Sequence, residues 1–119
     1  MIEPGPIRQV DRFLETEIEA RALEITQMRV VSRERGDGKP DPASSILKIC
    51  GSELQQATSA LLMDVIGPAS AIAHRDSGDE EYDWARAGAA TYFNLRKLSI
   101  YGGANEIQRT IVAKSILGL

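Results

Sequence analysis

Apolar residues recur every three or four positions along most of this chain, and no segment shows the strict apolar–polar alternation of a strand. A spacing of three to four residues places side chains on one face of an α-helix. The pattern predicts four helices, separated by two polar breaks and a Gly-Gly pair. The predicted fold is therefore all-α, an up-and-down helical bundle of about four helices.

The first predicted helix extends from about Ile7 to Arg35, with Pro6 just before it and Gly36 just after it. Proline is favoured at the start of a helix and glycine just beyond its end. The apolar positions of this helix share one face, which the spacing predicts to be buried. They are Val10, Leu14, Ile18, Ala22 and Ile25.

The second predicted helix follows the turn-forming connector GDGKPDP. It begins at Asp41-Pro42, a favourable N-cap followed by proline, and ends near Ile66, where Gly67-Pro68 stops it. Its spacing also predicts a buried stripe. The stripe consists of Leu47, Cys50, Leu54, Ala57, Leu61 and Val65.

The third helix is predicted from Asp83 to about Ile100, after the acidic segment HRDSGDEEYD, and its Ala- and Gly-rich start allows close packing. The fourth follows Gly102-Gly103, where Asn105 and Gln108 form a capping-box pattern. Its predicted buried positions are Ile107, Ile111, Val112, Ser115 and Ile116.

Composition narrows the function classes. A chain of 119 residues suits one domain, residues 1–119, and a net charge of −3 with scattered basic residues disfavours nucleic acid. No run approaches the roughly 20 apolar residues of a membrane span, and the start lacks a signal-peptide pattern. We therefore expect a cytoplasmic protein that does not enter a membrane.

The single histidine and the single cysteine are residue types that can bind metal or react, but neither is predicted to do so here. His74 is the only histidine, and the acidic residues around it lack the spacing of a calcium loop, so no metal site is predicted. Cys50 lies on the apolar stripe of the second helix without a flanking histidine or a basic cluster. We expect it to be a buried structural thiol.

The start of the fourth helix is the strongest candidate for a ligand site. A helix N-terminus behind two glycines presents free backbone N–H groups and a positive dipole end. The same pattern is also typical of a tight turn between packed helices. Spacing alone leaves both interpretations open.

The segment YGGANEIQRTIVAK resembles the C-terminal signature of acyl-CoA dehydrogenases, commonly Tyr-Glu-Gly-Thr-Ser-Glu-Ile-Gln-Arg followed by a helix. The residues in register are Tyr101, Gly103, Glu106, Ile107, Gln108 and Arg109. More loosely, ASSILKICGSELQQATSALLMDVIGP is similar to a family helix of form Ala-Ser-x-x-Lys-x-x-x-Ser. Its landmarks fall on Ser45, Lys48, Ser52 and Gly67.

The resemblance implies the C-terminal helical domain of a longer enzyme, without its opening helix. Such enzymes remove an α proton and a β hydride from an acyl-CoA thioester. FAD accepts the hydride, a glutamate takes the proton, and an electron-transfer flavoprotein receives the electrons. The resemblance also implies a homo- or hetero-oligomer.

Carried over by position, the family glutamate falls on Gly102, so this chain has no evident catalytic residue. Implied FAD contacts are Gly103, Ala104, Asn105 and Glu106, together with Gly67, which corresponds to a turn near the FAD of a neighbouring subunit. Pro68 replaces the second glycine of that turn, and Ala104 replaces a common hydroxyl residue. The Arg-Asp-x-Arg stretch usual before the signature is reduced to Asn94 and Arg96.

Two functions are compatible with these residues. The first is the C-terminal domain of an FAD-dependent acyl-CoA dehydrogenase, inactive as an isolated chain because base and cofactor walls are missing. The second is a non-catalytic oligomerisation or interaction module derived from the same fold. A bundle that lacks a helix leaves an apolar groove, and such grooves mark interfaces.

Overall fold

The computed structural model describes residues 5–33, 41–68, 85 and 87–119. These residues form four α-helices and no strand, which confirms the all-α prediction. The helices are α1 (Pro6–Ser32), α2 (Ala43–Ile66), α3 (Gly88–Leu95) and α4 (Asn105–Val112). A 3₁₀ turn, Arg96–Ser99, continues α3, and a π-helical segment, Ala113–Leu117, continues α4.

Helix α2 has the ends that its flanking residues predict. Asp41 Oδ1 accepts a hydrogen bond of 2.8 Å from the N–H of Ala43, and Gly67 ends the helix with φ +67° and donates its N–H to the Met63 carbonyl. A positive φ suits glycine because it has no Cβ. The predicted start of α3 at Asp83 lies outside the described residues.

Helix α2 is the centre of the described fold, with α1 on one side and α3, the 3₁₀ turn and α4 on the other. The face toward α3 and α4 carries buried serines at seven-residue intervals, Ser45, Ser52 and Ser59. The hydroxyls of Ser52 and Ser59 each donate 2.9 Å hydrogen bonds to carbonyls of their own helix. This face therefore carries small side chains, and the hydroxyl groups of Ser52 and Ser59 already have hydrogen-bond partners. Other helices can approach it closely.

Helix α3 approaches α2 closely at its start, as its small residues predict. A Cβ on Gly88 would overlap Cδ1 of Ile66, a contact that real Cβ atoms do not make. Ile66 is itself buried and belongs to the small apolar core, with Val30, Leu61 and Ala85. Helix α3 can therefore pack on the end of α2 because Gly88 has no side chain.

The predicted buried face of α1 is wrong. Its large members are 52% to 69% exposed: Val10, Leu14, Ile18 and Ile25. At 100° per residue, the face that packs on α2 lies on the opposite side of the helix and includes Thr16, Ala20, Leu23 and Val30. The periodicity identified an apolar face correctly but not the neighbour that would cover it.

Burial also differs from the prediction on α2 and α4. Of the predicted α2 stripe only Leu61 is buried, and Cys50 is exposed rather than a core thiol. On α4, Ile107 is 58% exposed and Ile116, in the π-helical segment, is 46% exposed. The buried positions of α2 are three serines together with Leu61 and Ile66.

None of the described helices combines the length and the apolar character needed to cross a membrane.

Candidate functional site

The chain turns sharply between the 3₁₀ turn and α4, in a segment that we call the corner (residues 101–106). Gly102 and Gly103 have φ values of +70° and +88°, in the left-handed region that glycine adopts without strain. A Cβ at Gly102 would have no atom within 4 Å, whereas one at Gly103 would lie 2.6 Å from Nε2 of Gln108. That same Nε2 donates a 3.3 Å hydrogen bond to the Gly102 carbonyl.

The first residue of α4 fastens the corner to α2. Asn105 is 3% exposed, and its Oδ1 accepts a hydrogen bond from Lys48 Nζ at 2.6 Å. Its Nδ2 lies 2.9 Å from Ser52 Oγ and donates to it. Hydrogen bonds to a charged group are stronger than neutral ones, so Lys48 is the main anchor.

The capping-box prediction for Asn105 is wrong. The N-cap of α4 is Ala104, and no side chain caps the helix. Asn105 stands inside the first turn, and its amide group is used entirely on α2. Any ligand at the corner would meet the backbone of Asn105 and not its side chain.

A second anchor holds the 3₁₀ turn against α2. Arg96 Nη2 donates to the Gln56 carbonyl at 3.0 Å and to Ser59 Oγ at 2.8 Å, and its guanidinium lies 4.3 Å from the ring centroid of Tyr92. In return, Gln56 Nε2 donates to the carbonyls of Leu95 and Arg96, both at 3.2 Å. The reciprocal bonds fix the entry to the corner.

The anchors form one polar row along α2 that sequence reasoning found only in part. The resemblance singled out Ser45, Lys48 and Ser52 but missed Gln56 and Ser59. The signal was available, because these five residues follow one another at intervals of three or four positions. Arg109 adds an exposed ion pair at the edge, 2.5 Å from Glu53.

The other implied cofactor positions fall in two places. Gly103, Ala104, Asn105 and Glu106 are consecutive in the corner, and the Glu106 side chain is exposed in the first turn of α4. Gly67 lies at the far end of α2, about 22 Å along the helix axis from Ser52 at 1.5 Å per residue. Within one chain the two groups do not converge.

An open cavity of about 310 Å³ lies between α2 and the corner. Its lining includes Lys48, Gly51, Ser52, Gln55, Tyr101 and Gly102. None of its lining residues carries a carboxylate. The space next to Gly102 is thus lined mainly by apolar groups, including Leu47 and Leu98, with a few amide, hydroxyl and ammonium groups and no carboxylate.

Metal chemistry receives no support from the part of the chain that the structure describes, where no three His, Cys, Asp or Glu residues form a cluster. The acidic segment around His74 lies outside the described residues.

Arg96→Lys is expected to lower the free energy of unfolding by about 1–2 kcal/mol. Lysine keeps the charge but lacks the planar fork that bonds Gln56 and Ser59 and lies over Tyr92. Urea unfolding followed by far-UV circular dichroism measures the difference. Arg109→Lys is the matched control, since an exposed pair contributes little and should change stability by under about 0.5 kcal/mol. Equal losses in the two variants would contradict the anchoring role of Arg96.

Comparison with known proteins agrees with this fold. The family profile described as "Acyl-CoA dehydrogenase, C-terminal domain" matches residues 10–117. The chain is 28% identical over 113 residues to acyl-CoA dehydrogenase FadE34 of Mycobacterium tuberculosis, covering 95% of this chain and 14% of that protein. It is 37% identical over 76 residues to acyl-CoA dehydrogenase IpdE1 of the same organism, covering 63% of this chain and 18% of that protein. No solved structure matches.

The chain thus spans less than a fifth of the length of these two relatives. The match covers α2, α3, α4 and all of α1 except its first turn, and it includes the corner and the polar row on α2. The chain belongs to the acyl-CoA dehydrogenase family and carries its C-terminal domain.

Proposed function

We propose that this chain serves as the C-terminal helical domain of an FAD-dependent acyl-CoA dehydrogenase and contributes its corner to the flavin site. The observation that carries the proposal is the pinned corner, in which Asn105 and Arg96 tie an exposed glycine turn to α2. A turn held at both ends can present its backbone in one position. In the whole enzyme we expect an acyl-CoA substrate and an electron-transfer flavoprotein as electron acceptor.

The residues of the corner are compatible with a large planar group beside them. Gly102 has open space where a side chain would stand, and Ala104 is small. The backbone N–H groups at the start of α4 are the donors that the corner offers, since the Asn105 amide is occupied by α2. FAD, when bound, supplies the hydride acceptor for α,β-dehydrogenation.

The chain itself does not carry the proton-abstracting group. Gly102 stands where the family signature has glutamate, and none of the residues lining the neighbouring cavity is acidic. The Lys48 side chain in the cavity wall is engaged as a hydrogen-bond donor to Asn105. General-base catalysis requires a base within hydrogen-bond reach, so we expect the isolated chain to be inactive.

A chimera tests the contribution to the flavin site. The matching C-terminal segment of FadE34 would be replaced by this chain, and the purified protein assayed for bound flavin by its visible absorption. We expect flavin to be retained, and Gly103→Val, which places a branched side chain at φ +88° against Gln108, to reduce it. Ile100→Val, an exposed position next to the corner, is the control. A folded chimera without flavin would contradict the proposal.

Gly102→Glu in the same chimera tests the missing base. We expect turnover of an acyl-CoA with an artificial electron acceptor to rise at least tenfold over the glycine form, because the open space at Gly102 admits the longer side chain. Gly102→Gln, of equal size but unable to take a proton, is the matched control. Equal turnover of the Glu and Gln variants would show that a base at this position is not what the chain lacks.

A second candidate function is the non-catalytic interaction module. It is favoured by the exposure of the large apolar residues of α1, which no described part of the chain covers. The two functions differ in the chimera, since a pure interaction module has no reason to preserve a flavin site.

A further inference from the structure

The cavity between α2 and the corner has one charged side chain in its wall, and that side chain is a cation. The Lys48 ammonium lies there beside Ser52, and none of the described residues that line the cavity is acidic. Lys48 forms one hydrogen bond with the described chain, the 2.6 Å bond to Oδ1 of Asn105. An ammonium group carries three N–H donors, so two remain for another acceptor.

No carboxylate of the described residues balances this charge. Glu53, the acidic residue of α2 that is nearest to Lys48 in sequence, forms an ion pair with Arg109 at 2.5 Å. Lys48 belongs to none of the ion pairs between described residues, although it is half-buried. Charged side chains that are partly removed from water are normally paired. The cavity wall therefore carries an unbalanced positive charge.

The side chain of Gln55 adds a neutral donor to the same wall. Its amide forms no hydrogen bond with any described residue, whereas the neighbouring Gln56 is used on the 3₁₀ turn. Gln55 follows Lys48 by seven residues, so both lie on one face of α2, about 10 Å apart along the axis. Gly51 lies between them and has no side chain to divide the space.

The rest of the wall is mainly apolar. Leu47, Leu98 and the Tyr101 ring line the same space, and Lys97 Nζ lies 5.9 Å from the centroid of that ring. The volume of about 310 Å³ falls at the lower end of the range for small-molecule pockets, about 300–1,000 Å³. An apolar wall with one free cation matches a ligand that has one anionic end and a short hydrocarbon body.

We propose that this cavity binds a small monocarboxylate, with its carboxylate on the Lys48 ammonium and its hydrocarbon part against Leu47, Leu98 and Tyr101. The two free N–H donors of Lys48 form charge-assisted hydrogen bonds with the carboxylate oxygens. A monocarboxylate is favoured over phosphate, because one ammonium balances one negative charge and the apolar wall disfavours a second. This binding activity is separate from the proposed contribution to the flavin site and does not rest on it.

Titration of the isotope-labelled chain with hexanoate, followed by amide NMR spectra at constant ionic strength, tests the site. We expect saturable shifts of the Gly51 and Gly102 amide signals, with a Kd of about 1 mM or lower. Hexanamide has the same hydrocarbon chain without the charge, and we expect it to bind at least tenfold more weakly. No saturable shift with hexanoate up to about 10 mM, or equal binding of hexanamide, would overturn the proposal.

Substitutions separate the charge of the wall from its packing. Lys48→Met removes the ammonium and should weaken hexanoate binding at least tenfold; circular dichroism checks that the variant stays helical, since it also releases Asn105. Gln55→Glu leaves that anchor intact, adds a negative charge to the wall and should weaken binding at least threefold. Ala57→Glu makes the same charge change at an exposed position on the other side of α2 and should leave binding unchanged. Equal weakening by the two glutamate variants would show that only net charge matters and reject the site.

Discussion

Asn105→Leu is expected to lower the free energy of unfolding by about 2–3 kcal/mol. Leucine fills a similar volume but removes the acceptor for the Lys48 ammonium and the donor to the Ser52 hydroxyl. A hydrogen bond to a charged group contributes about 1.5–3 kcal/mol and a neutral one about 1 kcal/mol, and the Ser52 hydroxyl keeps its own bond to the Ile49 carbonyl. Urea unfolding followed by far-UV circular dichroism measures the loss.

Two further variants separate the hydrogen bonds from the packing. Asn105→Asp keeps the acceptor for Lys48 and should cost under about 1 kcal/mol. Ser52→Ala removes only the neutral hydrogen bond from Asn105 Nδ2 and should cost about 0.5–1.5 kcal/mol, less than Asn105→Leu. If Asn105→Leu unfolds at the same urea concentration as the wild type, the network does not hold α4.

Gly88→Val is expected to destabilise the chain by about 2–3 kcal/mol. Its Cβ would overlap Cδ1 of Ile66, which is buried and surrounded by the core, and the branched side chain prevents a simple escape. Overpacking of this kind typically costs about 1–3 kcal/mol, more than the few tenths of a kcal/mol that valine gains over glycine in helix propensity. The unfolding midpoint in urea reports the change.

Two further variants test whether the loss of stability comes from the overlap with Ile66. Ile66→Ala should make Gly88→Val less harmful than in the wild-type background, because it removes the atom that valine would overlap. Gly51→Ala is the control for replacing a glycine in a helix: its Cβ would lie 3.9 Å from Leu23, an ordinary contact, so we expect a gain of up to about 1 kcal/mol. Additive effects of Gly88→Val and Ile66→Ala would reject the clash.

The ends of α2 and the existence of four helices were predictable from the sequence because they depend on local chemistry. Asp41 and Gly67 each form a hydrogen bond with a backbone group two to four residues away. Both partners of each bond therefore lie in one short stretch of sequence. The polar row on α2 was less accessible. Its partners, Asn105 and Arg96, lie 37 to 57 residues away, and no rule of spacing connects them.

Burial was the property that the sequence predicted least well. The spacing of Leu14 and Ile18 shows correctly that α1 has an apolar face, but not whether the covering surface is part of the same chain. The real contact face of α1 contains Thr16 and Ala20, whose small size suits close packing but gives a weak hydrophobic signal. Likewise, asparagine is a common N-cap residue, and only the fold shows that the side-chain amide of Asn105 bonds to α2 instead.

The open space beside Gly102 has a consequence for how members of this family diverge. A Cβ at that position would have no atom of the described fold within 4 Å, so a larger side chain fits there without a change in its neighbours. The left-handed backbone costs a residue other than glycine roughly 1–2 kcal/mol. A single substitution can therefore change the side chain beside the cavity while the helices that frame it keep their packing.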